Sequence, residues 1–350
     1  MTTLDPASPT ALRQALHRLS AGESLSESEA AAAFTEIMSG GAPPASVGGL
    51  LLALRTRGET AAEIAGAVRA LRRAMRVVRS DNVARLVDTC GTGGGRTGTL
   101  NLSTAAAFIA SGAGVAVAKH GNRSFTSRSG SADVLEALGL SLELSPEQAA
   151  AVLDAAGLVF LFAPAYHPAM RHVAPIRREL GVPTLMNLIG PLANPAGATR
   201  QVVGVADRGR APIIASALAR LGAIHALIVH ADVGMDEISP VGETAVWEVQ
   251  SGEVREWRLD PATLGLSAPS LDGLEGGEPL ENAARIEALL RDPATAPVAL
   301  RAAVLLNAAA ATYVSGASLD WEAAVEAVTT ALYSGAAAAR LDTLRKLAGR

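Results

Sequence analysis

The chain has 350 residues, 49% hydrophobic and 18% charged, which is apolar material enough for a sizeable core and a length that predicts two domains of ordinary size. A formal net charge of -4 and an aromatic content of 3% argue against a broad basic face or a base-stacking platform, so no nucleic-acid partner is expected. The single cysteine, Cys90, excludes an intrachain disulfide framework and a zinc site built from several cysteines.

The first residues, MTTLDPASPTALRQ, lack a basic segment followed by an apolar run and do not read as a signal peptide. Apolar residues at helical spacing then predict helices over Thr10 to Leu19, Ser26 to Met38, Ala45 to Arg57 and Thr60 to Met75. Ser26 followed by Glu29 has the form of a capping box, and Gly40-Gly41-Ala42-Pro43-Pro44 marks a turn. The pattern changes near residues 77–83, which sets the boundary between a domain of residues 1–80 and one of residues 81–350. Leu86-Val87-Asp88 leads into a glycine-rich turn, a helix is expected from Ser103 to Ser111, and a strand from Gly114 to Ala118. A helix over Ser131 to Leu138 follows. Further strands are expected over Leu158 to Phe162, Gln201 to Val205 and Ala226 to His230, and a hairpin at 244–259 around Ser251-Gly252. The last hundred residues read as alanine-rich helix. The fold class is therefore α/β: a small all-helical domain and a larger one with a central, largely parallel sheet. The stretch from Leu100 to Ala118, broken by polar residues and glycines, is a poor membrane span. No membrane partner and a cytoplasmic location are expected.

Five segments carry chemistry. Asp88 to Gly95, reading DTCGTGGG, sits between a strand and a helix, where backbone N–H groups and a helix N-terminus suit an anion; it also reads as a purely structural turn. Asn101-Leu102-Ser103-Thr104 follows, with Ser103 and Thr104 as helix caps or as donors to a phosphate or a metal's hydration shell. Lys119-His120-Gly121-Asn122-Arg123-Ser124-Phe125-Thr126-Ser127-Arg128 is a strand end opening into a loop with three cations. It is a solvated loop or a ligand loop, since open α/β sheets bind at the carboxyl ends of their strands; His120 reads as a shaping residue rather than a base. Gly234-Met235-Asp236-Glu237 offers two adjacent carboxylates, surface charge or magnesium ligands. A basic helix from Tyr166-His167-Pro168 to Arg177-Arg178 precedes the turn-rich Asn187 to Pro195; its arginines suit a carboxylate ligand or a salt-bridged surface.

Together these segments resemble the anthranilate phosphoribosyltransferase family: GTGGG then NLST, KHGNRSFTSRSGSADVLEALG, FAPAYHPAMRHVAPIRRELG, NLIGPLANPAG and GMDE occur in the family's order. The N-terminal helices are similar too, so the resemblance spans nearly the whole chain. It implies an architecture shared with the pyrimidine nucleoside phosphorylases and a helical domain of residues 1–80 joined by an insertion at about 166–185, through which the family forms homodimers. The implied reaction joins anthranilate to the ribose phosphate of phosphoribosyl pyrophosphate (PRPP), with Mg2+ as cofactor. For PRPP the resemblance implies Gly91, Gly94, Gly95, Thr99, Asn101, Leu102, Ser103, Thr104, Lys119, His120, Gly121, Asn122, Arg123, Ser124, Phe125, Thr126, Ser127 and Ser131. For anthranilate it implies Gly91, Asn122 and Arg177, and for magnesium Ser103, Asp236 and Glu237. No covalent nucleophile is expected. The family's glycine turn usually ends in aspartate, whereas this chain has Gly95 followed by Arg96. That exchange of charge is expected to alter the use of PRPP and metal at this loop. A nucleoside phosphorylase and a non-catalytic binding paralogue are the rival readings, opposed by the KHGNR and GMDE segments and by the acidic balance of the chain.

Overall fold

A computed structural model describes residues 10–80, 85–95, 97–124 and 128–349. Four helices come first: α1 (Ala11–Ser20), α2 (Glu27–Met38), α3 (Pro44–Arg57) and α4 (Ala61–Ala74). Their starts are written in the sequence. Ser26 accepts from the Glu29 N–H while Glu29 returns to the Ser26 N–H, and Thr60 with Glu63 repeats the box, each cap being worth about 1 kcal/mol.

The chain then alternates between strands and helices: β1 (Val87–Gly91), α5 (Leu102–Gly112), β2 (Val117–Gly121), α6 (Ser131–Ala137), α7 (Pro146–Ala156) and β3 (Leu158–Phe162). Three short helices follow, α8 (Ala163–Tyr166), α9 (Ala174–Leu180) and α10 (Met186–Ile189), then β4 (Arg200–Gly204), α11 (Ala211–Arg220) and β5 (His225–Ala231). The antiparallel pair β6 (Thr244–Gln250) and β7 (Glu253–Leu259) leads to α12 (Pro279–Arg291), α13 (Val298–Ser315), α14 (Trp321–Tyr333) and α15 (Ala336–Ala348). Ser251 and Gly252 turn the hairpin with φ of 54° and 83°, the positive pair that a two-residue turn between twisted strands requires.

Among the described residues, seven strands form one sheet in the order β3-β2-β1-β4-β5-β6-β7. The first five run parallel, as expected, and β6 and β7 run as an antiparallel extension at one edge. Winding proceeds outward from β1 to β3 and then restarts at β4 on the other side of β1. The gap between the carboxyl ends of β1 and β4 is thus a topological switch point, where an open α/β sheet leaves a crevice. One sheet face packs on α5 and the C-terminal helices. The other packs on α11, and that core runs on without a break into α1 to α4 and the 169–193 segment. Helix α13 is long and apolar enough to cross a membrane, yet 83% of it is buried inside the fold, so it is a core helix here.

Three expectations need correction. The strand expected over Gly114 to Ala118 begins three residues later, because the segment to Val115 still closes α5: Gly114 has φ 91° and the Val115 N–H donates to the Ala110 carbonyl at 3.0 Å. The basic helix expected from Tyr166 to Arg178 is broken into α8, a 3-10 turn at Pro168–His172 and α9, since Pro168 and Pro175 each remove an N–H and can only begin a helical turn. Ser103 and Thr104 are not caps. Asn101 holds the cap position and makes no side-chain cap bond, so the two hydroxyls belong to the first turn of α5.

Candidate functional site

Four strands end together at the switch point. Gly91 at the end of β1 is paired with Gly204 at the end of β4, and the Thr92 N–H donates to the Gly204 carbonyl at 2.9 Å. The turn that follows reverses on Gly93 and Gly94, with φ of 68° and 85°, conformations that suit glycine and point successive N–H groups to one side. Next, Thr99 bridges to Glu275 and Leu100 donates to the Leu274 carbonyl, so the start of α5 is clipped in place from the far end of the chain. Asn282 strengthens that clip by donating to Asn101 Oδ1 at 3.0 Å, and Asn101 donates to the Ser129 carbonyl at 3.1 Å.

The carboxylate loop after β5 is laid across these ends. Glu237 accepts from Thr99 Oγ1 at 3.0 Å and from the Ser103 N–H at 3.2 Å, which places its charge at the N-terminus of α5. Lys119, buried at the end of β2, donates to the Thr89 carbonyl and to Ser103 Oγ. Asp236 lies against Gly95: a Cβ added at 95 would meet the Asp236 carboxylate, its Cγ at 2.9 Å. The Asp236 carbonyl presses on Gly204 so closely that a Cβ there would overlap it. Asn307 of α13 holds the loop from below. Its Oδ1 accepts from the Ile238 N–H at 3.1 Å and its Nδ2 donates to the Ile238 carbonyl at 2.9 Å. A small cavity lined by Thr89, Ser103, Gly204, Asp236, Glu237 and Asn307 opens among these groups.

The electrostatics are those of two close carboxylates withdrawn from water. Burial pushes both Asp236 and Glu237 above the usual carboxylate range, and Asp236 raises Glu237 further. Burial also lowers Lys119, against the pull of Asp88 and Glu237. Among the described residues no group of three or more His, Cys, Asp or Glu side chains could cage a metal. Two carboxylates beside a serine hydroxyl nonetheless fit a hard cation that keeps water and substrate phosphate oxygens in its shell, the habit of magnesium.

The structure gathers Gly91, Gly94, Gly95, Thr99, Asn101, Ser103, Lys119, Asp236 and Glu237 into this constellation. Leu102 and Thr104 are buried, and the Thr104 hydroxyl has no hydrogen-bond partner among the described residues. His120 is buried and its ring contacts His167. Asn122 stands exposed past Gly121, and Ser131 Oγ donates to the Asn122 carbonyl at 3.3 Å. Arg123 is engaged elsewhere, with Asp133 at 2.8 Å and Glu136 at 2.6 Å. The Ser124 N–H also leans on Asp133. Phe125, Thr126 and Ser127, with Arg96, lie outside the described residues. Arg177 on α9 is partly buried, and burial lowers its basicity. Among the described residues its guanidinium has no carboxylate partner, which makes it a desolvated cation open to a carboxylate ligand.

Sequence reasoning missed Asn282 and Asn307. Asn307 had a visible signal, as a lone amide inside the apolar run LLNAAAA, where an unsatisfied polar group would be costly.

The geometry of Gly95 gives an expected outcome. Gly95→Asp should set a second carboxylate against Asp236 and change the dependence of turnover on both PRPP and magnesium several-fold. Titrating the two in parallel checks this, and superimposable curves for the variant and the parent would make the glycine silent.

The chain is similar to known proteins over almost its whole length. A family described as glycosyl transferase family, a/b domain, matches residues 83–338, and one described as glycosyl transferase family, helical bundle domain, matches residues 13–75. The anthranilate phosphoribosyltransferase of Rubrobacter xylanophilus is 52% identical over 345 residues, covering 97% of this chain and 99% of that protein. That of Afipia carboxidovorans is 47% identical over 330 residues, covering 94% and 96%. The solved anthranilate phosphoribosyltransferase of Thermus thermophilus superposes with a TM-score of 0.89 at 44% identity, covering 97% of this chain and 99% of that one. The enzyme of Saccharomyces cerevisiae, solved in complex with PRPP and Mg, gives 0.85 at 28% identity, covering 97% and 98%.

Proposed function

The chain belongs to the anthranilate phosphoribosyltransferase family, and on that premise we propose that it transfers the 5-phosphoribosyl group of PRPP to the amine of anthranilate. The products are N-(5-phosphoribosyl)anthranilate and pyrophosphate, and the step belongs to tryptophan biosynthesis. The observation that carries this reading is the switch-point cluster, in which a glycine turn, the start of α5, Lys119 and the Asp236–Glu237 pair converge.

The anthranilate nitrogen attacks C1 of the ribose, the C1–N bond forms, the C1–oxygen bond to pyrophosphate breaks, and the amine loses a proton to solvent. An aromatic amine is neutral at pH 7, so the site needs no strong base. Its task is to position two substrates and to stabilise the departing pyrophosphate. The N–H groups of the Gly91–Gly95 turn and the N-terminus of α5 face the phosphates. Lys119 keeps Ser103 oriented between them and the carboxylate loop. Asp236, Glu237 and Ser103 would hold magnesium, which supplies charge neutralisation to the pyrophosphate when bound. On this reading the residues from Lys119 to Ser124 with Ser131 line the PRPP subsite, and Gly91, Asn122 and Arg177 receive anthranilate.

We also propose that the helical part, residues 1–80 with 166–185, is the dimerisation unit of a cytoplasmic homodimer and that residues 81–350 carry catalysis. Leu52 of α3 and Val182 after α9 are 47% and 46% exposed, and their two helices pack on each other, which offers apolar surface for a second copy.

Arg177 tests the acceptor assignment. Losing a charge-assisted bond to the anthranilate carboxylate should raise the anthranilate KM of Arg177→Ala about 10- to 100-fold. Steady-state kinetics with each substrate varied in turn checks this, and a shift confined to the PRPP parameters would contradict it.

A further inference from the structure

Among the described residues, three stretches of chain lie between the helical layer and the α/β layer: residues 75–80 after α4, one leaving β3 through Tyr166-His167-Pro168, and one returning through Leu192 to Ala196. They are tied to one another. The Arg76 N–H donates to the Tyr166 carbonyl at 2.8 Å, the Val78 N–H to the Pro195 carbonyl at 3.0 Å, and the Arg72 guanidinium to the Leu192 carbonyl at 2.7 Å.

Two of these stretches also send a buried polar side chain into the end of β2. Asn194, 2% exposed, donates through Nδ2 to Asp88 Oδ2 and to the Ala118 carbonyl, both at 2.8 Å, and accepts from the Ala196 N–H at 2.8 Å. The other Asp88 oxygen accepts from the His120 N–H at 3.0 Å. His167, 5% exposed, sets its Nε2 at 3.2 Å from His120 Nε2, the ring centroids 5.0 Å apart.

Burial depresses both rings, His120 to about 3 and His167 to about 4, so both are neutral near pH 7 and their facing nitrogens can share one proton. A backbone carbonyl also lies by each ring, that of Gly190 by His120 and that of Ala193 by His167, so the ring pair is held on both sides.

Asp88, His167 and Asn194 do not stand among the candidate phosphate or metal donors. Burying an Asp, an Asn and two His side chains costs free energy that apolar packing would not, and what the network secures is the place where β2 opens into Gly121 and Asn122. We propose that His167 and Asn194 are positioning residues that hold the His120–Asn122 strand end from the two crossing stretches, so that the acceptor subsite is set by the pose of the helical layer. This rests on the reading of Asn122 as an acceptor contact given above.

The test compares His167→Phe, which fills the ring volume without a hydrogen-bonding nitrogen, with His167→Gln, whose amide can still hydrogen-bond to His120. His167→Phe should keep its folded circular-dichroism spectrum and PRPP KM within twofold while kcat/KM for anthranilate falls at least tenfold. His167→Gln should recover to within threefold of the parent. Equal kinetics in all three proteins, equal damage in both variants, or parallel losses for both substrates would overturn the proposal. Should His167→Phe fail to fold, the parent protein serves. Ring-nitrogen NMR should show both His167 and His120 as neutral imidazoles, with the His167 signals shifting on saturation with anthranilate; His167 signals indifferent to anthranilate would overturn the proposal. A parent enzyme inactive with anthranilate and PRPP would instead remove the functional reading beneath it.

Discussion

Replacing Asp236 by Asn and Glu237 by Gln together should lower magnesium-dependent turnover by about a thousand-fold or more, close to 4 kcal/mol of transition-state stabilisation. The two carboxylates are half-buried, Asp236 repels Glu237, and Lys119 is a cation near Glu237, so their charge is better matched by a divalent ion than by the protein alone. The amides keep the shape of the loop and the hydrogen-bond geometry at Thr99, and they remove the charge that a hard cation needs. The same exchange lifts a buried like-charge repulsion, so the variant should melt no lower than the parent when both are metal-free. Rates measured across a magnesium titration, with thermal melting alongside, check the two halves. Unchanged rates at every magnesium level would refute the metal assignment.

Gly204→Ala should be nearly as damaging, though position 204 carries no functional group. Its methyl would overlap the Asp236 carbonyl, a backbone atom that no rotamer change can withdraw, and Asn307 pins nearby Ile238 from the other side. The carboxylate loop must therefore shift as a unit. Displacing a positioned group by about 1 Å can cost about a hundred-fold in rate, and overpacking of this kind costs about 1–3 kcal/mol of stability. Steady-state kinetics and a melting curve give both numbers. A variant with parental kcat/KM would show that the loop does not depend on its seat against β4.

Much of this was legible in the sequence because it is local. Ser26 with Glu29 announces α2 within four residues, and the expected strand over Leu158 to Phe162 coincides with β3. Ser251-Gly252 forces the hairpin by its own backbone preference. The candidate site was legible as a set of loops, since glycine turns, a lysine at a strand end and paired carboxylates are conspicuous in order. What joins them was not. The strand order that puts β4 beside β1 is decided by pairing across more than a hundred residues, and nothing in GTGGG or GMDE states that Gly95 and Asp236 share one space. His167 and Asn194 were hidden for the same reason, because a His before a proline and an Asn in a turn acquire meaning only from His120 and Asp88 across the fold. The start of β2 was misplaced because Gly114 to Ala116 is as apolar as a strand, and only hydrogen bonds back into α5 assign it to a turn.

The central claim is transfer of phosphoribose to anthranilate, and the loss of anthranilate fluorescence follows it directly. With purified protein and PRPP, the signal should decay to completion in the presence of magnesium and stop when the metal is chelated by EDTA, with one pyrophosphate released for each anthranilate consumed. A steady signal under saturating PRPP and magnesium, from protein that instead cleaves thymidine or uridine with phosphate, would contradict the assignment.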